Sequence, residues 1–341
     1  MAETEKRRVA VLGAGAWGTA LANLAARAGA GDETRVWLWS RDPAHVAEMR
    51  ATGINARHLP GIPLQSNVFP TAELSELQGA EAVLAAVPAQ AMRGVLEAFA
   101  PHLAAGVPVI ICAKGIERAT GLFLSEAAAS VLPQSPLAVL SGPSFAKEVA
   151  QGLPTAVTLA AQDGERAAAL AALLASPSFR LYSSHDVRGV EIGGAAKNVL
   201  AIASGICAGR KLGASAGAAL IARAFAELSR FGRAFGAEPA TLAGLSGLGD
   251  LVLTCTSPMS RNYSLGLALG RGLSLADAVA RAGLCEGMHT CGALVDLAHA
   301  KGVDMPIAAA VDAVLAERLT IGEAIAELLA RPLKPEILDP G

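Results

Sequence analysis

The stretch Val9–Ala26 reads VAVLGAGAWGTALANLAA. Its first four residues, Val9 to Leu12, have the character of a buried parallel strand. Gly13, Gly15 and Gly18 then stand at G-x-G-x-x-G spacing, and an Ala/Leu-rich helical run follows. This order describes a strand that turns tightly into a helix whose N-terminus faces a pyrophosphate. Gly13 permits the turn. Gly15 lets the backbone approach the phosphates without an intervening Cβ, and Gly18 lets the helix pack closely on the strand. Free N–H groups and the dipole at the helix start then hold the anion. A glycine-bearing turn without a ligand is the plainer alternative. The spacing alone is a weak signal, and the strand–turn–helix context gives it weight.

Around this stretch, composition sets the bounds. A chain of 341 residues is long enough for two domains with cores of their own. Hydrophobic residues make up 52% and charged residues 17%, the balance of a globular rather than a disordered chain. A net charge of −2 offers no electrostatic footprint for nucleic acid or an anionic membrane. Lys6-Arg7-Arg8 ahead of an apolar stretch imitates a signal peptide, but a signal peptide has no use for the glycine spacing. No uncharged apolar run approaches the length of a membrane-spanning helix. The expectation is a soluble cytoplasmic protein. Cys112, Cys207, Cys255, Cys285 and Cys291 are odd in number, which argues against a disulfide framework. Cys285, His289 and Cys291 lack a matching second ligand pair, so no metal is expected and the thiols read as small buried hydrophobes.

Along the chain, residues 1–8 read as a charged tail. Strands are expected at 34–39, 81–87, 107–112, 137–140, 155–161 and 179–183, with a helix after the N-cap Asp42 and another near 165–175. Residues 52–70 hold three prolines and read as a loop. Strands alternating with helical runs imply an α/β fold, a doubly wound, mostly parallel sheet of Rossmann type in which ligands bind beyond the carboxyl ends of the strands. Residues 39–41, Pro88, Lys114 and 142–144 fall at such ends. From about Gly189 the strand signal stops, and helical runs follow at 189–208, 215–236, 261–271, 274–283, 287–301, 307–317 and 320–330. The expected division is therefore a dinucleotide-binding domain over 1–188 and an all-α substrate and catalytic domain over 189–341. The tail from Arg331 carries three prolines and reads as loose.

The end of the second strand chooses the cofactor. An acid there favours NAD, and a nearby Arg favours the 2′-phosphate of NADP. The chain has Ser40-Arg41-Asp42, so NADPH is favoured and NAD stays open; Arg41 as an ordinary surface charge is the competing reading. In VEIGGAAKNVLAIA, Lys197 sits among Gly193, Gly194, Ala195 and Ala196. A lysine there is partly desolvated, which lowers its pKa toward the range of an acid/base catalyst; snorkelling to water is the alternative. Asp250 is either a partner for a lysine or a helix N-cap. Ser260 has the character of an N-cap for a helix opening on Arg261, and such a start is suited to a phosphate.

GAGAWGTALA, CAKGIE, SGPSFAKEV, GGAAKNVLAIASG, GLGDLVLTCTSPMSRN and CEGMHT occur in one order along the chain. In this order and spacing the chain resembles the bacterial NAD(P)-dependent glycerol-3-phosphate dehydrogenases from Val9 to about Leu329. The resemblance implies reversible reduction of dihydroxyacetone phosphate to sn-glycerol 3-phosphate, feeding phospholipid synthesis. It implies that Lys197 is the proton donor and acceptor, with Asp250 and Lys114 orienting it. It further implies substrate contacts at Lys114, Gly142, Ser144, Asp250, Ser260, Arg261 and Asn262. Cofactor contacts are implied at Ala16, Trp17, Arg41, His58, Lys114, Ala146, Arg261, Leu284 and Glu286, beside the glycines 13, 15 and 18. The chain departs from the family at Ser215, where Asn is usual, at Gly217, where a basic residue is usual, and at Ala224, which replaces the Gly of Thr-Arg-Gly. Substrate affinity is what these departures put in question. A hydroxy-acid dehydrogenase and a non-catalytic dinucleotide sensor are the competing readings. The oligomeric state stays open, with a homodimer through the helical domain as the candidate.

Overall fold

The computed structural model describes residues 7–28 and 34–332. The readings for residues 1–6 and for the tail beyond 332 lie outside the described residues. Eight strands form one sheet: β1 (Arg7–Leu12), β2 (Thr34–Trp39), β3 (Val68–Thr71), β4 (Ala82–Ala85), β5 (Val109–Ile111), β6 (Leu137–Ser141), β7 (Thr155–Ala161) and β8 (Phe179–Ser184). Their order is β3-β2-β1-β4-β5-β6-β7-β8. Every neighbouring pair is parallel except β6 with β7. The chain therefore reverses outward from β1, and the crevice at the ends of β1 and β4 is the switch point where such sheets take a dinucleotide. Helices α1 (Ala16–Ala28), α2 (Pro43–Thr52), α3 (Met92–Phe99), α4 (Leu124–Val131), α5 (Ala146–Ala150) and α6 (Gly164–Leu174) accompany the sheet. Two apolar cores cover its faces, one built on Val9, Val11, Leu21 and Leu38, the other on Ala10, Leu12, Leu96 and Phe99. The alternation of residues 9 to 12 between them is the period of a strand buried on both sides.

Strand β3 lies inside the segment read as a loop. Its Pro70 cannot donate to a ladder, and β3 is the outermost strand, where that loss is tolerated. The segment before it is fastened by Asn55, which is fully buried. Its amide donates to the Ala14 carbonyl at 2.9 Å and to Thr19 Oγ1 at 2.7 Å, so it clamps this excursion against the glycine turn.

The remaining helices are α7 (Val187–Gly209), α8 (Ala214–Ala234), α9 (Pro239–Ala243), α10 (Asp250–Thr256), α11 (Arg261–Gly270), α12 (Leu275–Ala282), α13 (Glu286–Ala300), α14 (Pro306–Leu315) and α15 (Ile321–Leu329). Helix α9, a π-turn over Leu245–Gly249 and α10 fill a stretch for which the sequence pattern places no separate helical run before the LVL that follows Asp250. Each piece is shorter than the window over which a helical period can be read. Helix α7 is the axis of this half. Among the described residues it is the one helix long and apolar enough to cross a membrane, but 89% of its most apolar window is buried against other elements. It packs on β6, the π-turn, α10, α11 and α13. A Cβ on Gly193 would stand 2.4 Å from the Ser246 carbonyl oxygen, and one on Gly194 would stand 2.7 Å from Ser141 Oγ. Only glycines let α7 pass between the sheet and the π-turn at that depth. Of the positions that depart from the family pattern, Ser215 is exposed and Gly217 half-buried near the start of α8, while Ala224 is fully buried.

Candidate active site

The glycine turn has the geometry its spacing predicts. Gly13 has φ +108°, a conformation L side chains rarely adopt, and a Cβ on Gly18 would stand 1.8 Å from the Gly13 carbonyl oxygen. A Cβ on Gly15 would meet nothing within 4 Å, so the backbone there opens onto free space at the start of α1. Trp17 donates its indole N–H to the Cys112 carbonyl at 3.2 Å, which ties the start of α1 to the end of β5.

Lys114 follows β5, Gly142 and Ser144 follow β6, and Ala146 opens α5. From the helical half, α7 brings Lys197 and α10 brings Asp250. The Asp250 carboxylate is 1% exposed and is shared by two ammonium groups. Lys197 Nζ donates to Oδ1 at 2.8 Å, and Lys114 Nζ donates to Oδ2 at 2.5 Å. Lys197 Nζ also donates to Thr254 Oγ1 at 2.8 Å, and Lys114 Nζ to the Gly142 carbonyl at 3.0 Å. Asp250 is thus the first residue of α10, not its cap; Gly249 holds that place. Nor does Lys197 snorkel. Each ammonium carries three donors, so each keeps one N–H beyond its two protein partners.

Two cations face one buried anion. Burial pushes Lys197 down to about pKa 8; Asp250 opposes the drop and Lys114 adds to it. The group is an acid matched to proton transfer near neutral pH, in a local field with an excess of positive charge. Thr254 was not singled out from the sequence. It stands one helical turn after Asp250, and that i+4 relation is the signal that marks it.

Ser260 caps α11, accepting the Tyr263 N–H on its Oγ at 3.2 Å. Arg261 lies close enough for its charge to act on His58, Cys285 and Glu286. His58 itself sits against His45, ring centroids 5.3 Å apart, and burial first, then the neighbouring cations, hold its pKa below the ordinary value. Arg261 therefore faces the sheet half as well as its own. Glu286 opens α13 and accepts the Ala89 N–H on Oε1 at 3.1 Å. Its Oε2 and the Thr290 hydroxyl are buried without a partner, and both border Gly115. Orphaned polar atoms at the ends of β4 and β5, together with the open space at Gly15, fit a dinucleotide laid along the strand ends. Arg41 is exposed after β2, beside the buried Ser40, and Leu284 is 41% exposed. Cys285 and Cys291 are buried, their thiols turned to the carbonyls of Arg261 and Ala308 respectively.

Comparison with known proteins agrees with this geometry. Residues 8–167 match the family model described as NAD-dependent glycerol-3-phosphate dehydrogenase N-terminus, and residues 186–326 match its C-terminus. A glycerol-3-phosphate dehydrogenase [NAD(P)+] of Beijerinckia indica is 69% identical over 331 residues, covering 97% of this chain and 98% of that protein. One from Azorhizobium caulinodans is 62% identical over 330 residues, covering 96% and 98%. The crystal structure of glycerol-3-phosphate dehydrogenase from Coxiella burnetii superposes with a TM-score of 0.90 at 42% identity, covering 96% of this chain and 99% of that one. A ketopantoate reductase from Ralstonia eutropha shares the fold alone, with a TM-score of 0.60 at 23% identity. An oxidoreductase site at the strand ends of a dinucleotide-binding sheet, closed by helices matching throughout, places the chain in the NAD(P)-dependent glycerol-3-phosphate dehydrogenase family.

Proposed function

We propose that this enzyme interconverts dihydroxyacetone phosphate and sn-glycerol 3-phosphate in the cytoplasm, with Lys197 as proton donor and acceptor, and that its product supplies phospholipid synthesis. In this reading residues 1–188 form the dinucleotide-binding domain and 189–341 the substrate and catalytic domain, with the start of α13 reaching back to the cofactor at Glu286 and Thr290. The observation that carries it is the buried Lys197–Asp250–Lys114 group, with one unspent N–H on each ammonium.

Reduced nicotinamide supplies the hydride when bound. The ketone oxygen becomes an alkoxide as its carbon is reduced. Lys197 donates its free N–H to that oxygen, stabilises the charge and gives up the proton; in oxidation the neutral amine takes it back. Asp250 keeps Lys197 in place, and Lys114 adds positive charge beside it. The Ser260 Oγ accepts the capping N–H, which leaves its own O–H to donate. The phosphate of the substrate is assigned to the Arg261 guanidinium, the Ser260 O–H and the first free N–H groups of α11, an anion site of ordinary helix-start chemistry. Gly142 and Ser144 stand beside Lys114, whose ammonium and the Ser144 hydroxyl both donate to the Gly142 carbonyl. Holding the remote phosphate positions the ketone against the donor.

A steady-state assay of NADPH and NADH oxidation tests this reading. Dihydroxyacetone phosphate is expected to be reduced and 2-keto acids left untouched; faster turnover of a keto acid would replace the proposal with a hydroxy-acid dehydrogenase. Arg261→Ala is expected to raise KM for dihydroxyacetone phosphate by about tenfold or more, the scale of one charge-assisted contact, with a smaller change in kcat. An unchanged KM would place the phosphate elsewhere. Arg41→Ala is expected to weaken NADPH by about tenfold and to spare NADH. Equal loss for both cofactors would show Arg41 to be a surface charge without a role in the choice.

A further inference from the structure

Asn262 follows the phosphate-facing Arg261, yet its side chain is 7% exposed as a residue and spent at both ends. Its Nδ2 donates to Asn198 Oδ1 at 3.0 Å, on α7 next to Lys197. Its Oδ1 accepts the Gly287 N–H at 3.0 Å, at the start of α13. Gly287 is fitted to that joint: a Cβ there would stand 2.5 Å from the Asn198 carbonyl oxygen and 2.9 Å from Asn262 Oδ1. A second tie runs alongside, from Cys285 Sγ to the Arg261 carbonyl at 3.4 Å. One residue further, Glu286 reaches across to the Ala89 N–H at the end of β4.

We propose that Asn262 is a positioning residue that joins the catalytic helix to the cofactor-facing start of α13, so that it sets affinity for the dinucleotide as well as for the substrate. An amide has two distinct ends, and here each is given to a different helix. Only one N–H of Nδ2 remains for a phosphate. With the Gly287 tie cut, α13 loses one of the bonds that hold its start, and with it Glu286, at the strand ends. The Asn198 tie acts on the other side: with Asn198 Oδ1 held by Asn262 and its Nδ2 donating to the Gly194 carbonyl at 3.4 Å, it pins α11 to the turn of α7 that carries Lys197. The proposal rests on the assignment of α13 to the cofactor made above.

Two variants and two readouts test it. Asn262→Ala removes both bonds. NADPH Kd measured without substrate is expected to rise by about tenfold or more, alongside a raised substrate KM. Asn262→Asp keeps an acceptor for Gly287 and loses the donor to Asn198. Its NADPH Kd is expected to stay within about threefold of wild type, while kcat falls. Wild-type NADPH affinity in Asn262→Ala overturns the proposal, since a residue that serves the phosphate alone would behave so. Equal loss of NADPH affinity in both variants also overturns it. Should the Ala variant not fold, Asn262→Leu removes both bonds at nearly constant side-chain volume and takes its place: a raised NADPH Kd supports the joint, and a wild-type NADPH Kd rejects it. Turnover of dihydroxyacetone phosphate by the wild-type enzyme separately tests the underlying reading.

Discussion

Lys197→Ala is expected to lower turnover of dihydroxyacetone phosphate by about 10²-fold or more, the scale of general acid–base catalysis, while NADPH binds with near-wild-type affinity. The variant removes the proposed proton donor, which α7 holds against Asp250, and leaves the glycine turn untouched. The wild-type pH profile carries the same information. Burial pushes Lys197 down to about pKa 8, so the ammonium predominates below that pH and the free amine above it. Ketone reduction needs the ammonium and should fall as pH rises through about 8. Alcohol oxidation needs the amine and should rise over the same interval. Near-normal turnover in Lys197→Ala, or profiles of the same sign in both directions, would remove Lys197 from this role.

The second large effect is expected at Asp250→Asn. The substitution keeps the shape of the side chain and removes the buried carboxylate that is bonded to the ammonium groups of both Lys197 and Lys114. Breaking a buried pair from one side costs about 3–5 kcal/mol, because the remaining charge is left uncompensated. Here two charges are left. Asp250 opposes the effect of burial on Lys197, so without its charge the Lys197 pKa moves further down and the reductive profile shifts to lower pH. A fall of about 10²-fold in turnover near neutral pH follows, since the acid is no longer loaded. Thermal unfolding and the pH profile check the two parts separately. A variant that melts earlier with an unchanged profile would make Asp250 a structural residue only.

Much of the fold was legible because its signals are local. The buried strand before Gly13, the N-caps at Asp42 and Ser260, and the change from strand to helix periodicity all lie within a few residues of what they specify. Strand β3 was not legible. It is four residues long, contains Pro70, and exists because β2 leaves an edge to pair with. The π-turn and α10 were hidden for a similar reason. Their place is set by Gly193 of α7 fitting beneath the Ser246 carbonyl, a contact no local pattern records.

The site divides in the same way. Its residue types were readable: glycines for a pyrophosphate, a lysine among small residues, an Arg at a helix start. Their engagement was not. Ser260 and Asn262 have the composition of phosphate ligands, yet the Ser260 oxygen also accepts a capping N–H and the Asn262 amide is divided between two neighbouring helices. Thr254 became part of the group only through its bond to Lys197.

By itself, then, the sequence determined the dinucleotide-binding turn and the sheet-then-helix order of the chain, since glycine freedom and hydrophobic period act over a few residues. The tertiary structure decided which charges meet. Asp250 lies 53 residues from Lys197 and 136 from Lys114, and the three converge because α7 carries no side chain at Gly193 and Gly194 and can sink between β6 and the π-turn. The pKa of a lysine depends on burial and on charges within a few ångströms. Both are properties of packing, and they come into being only when the two halves close around α7.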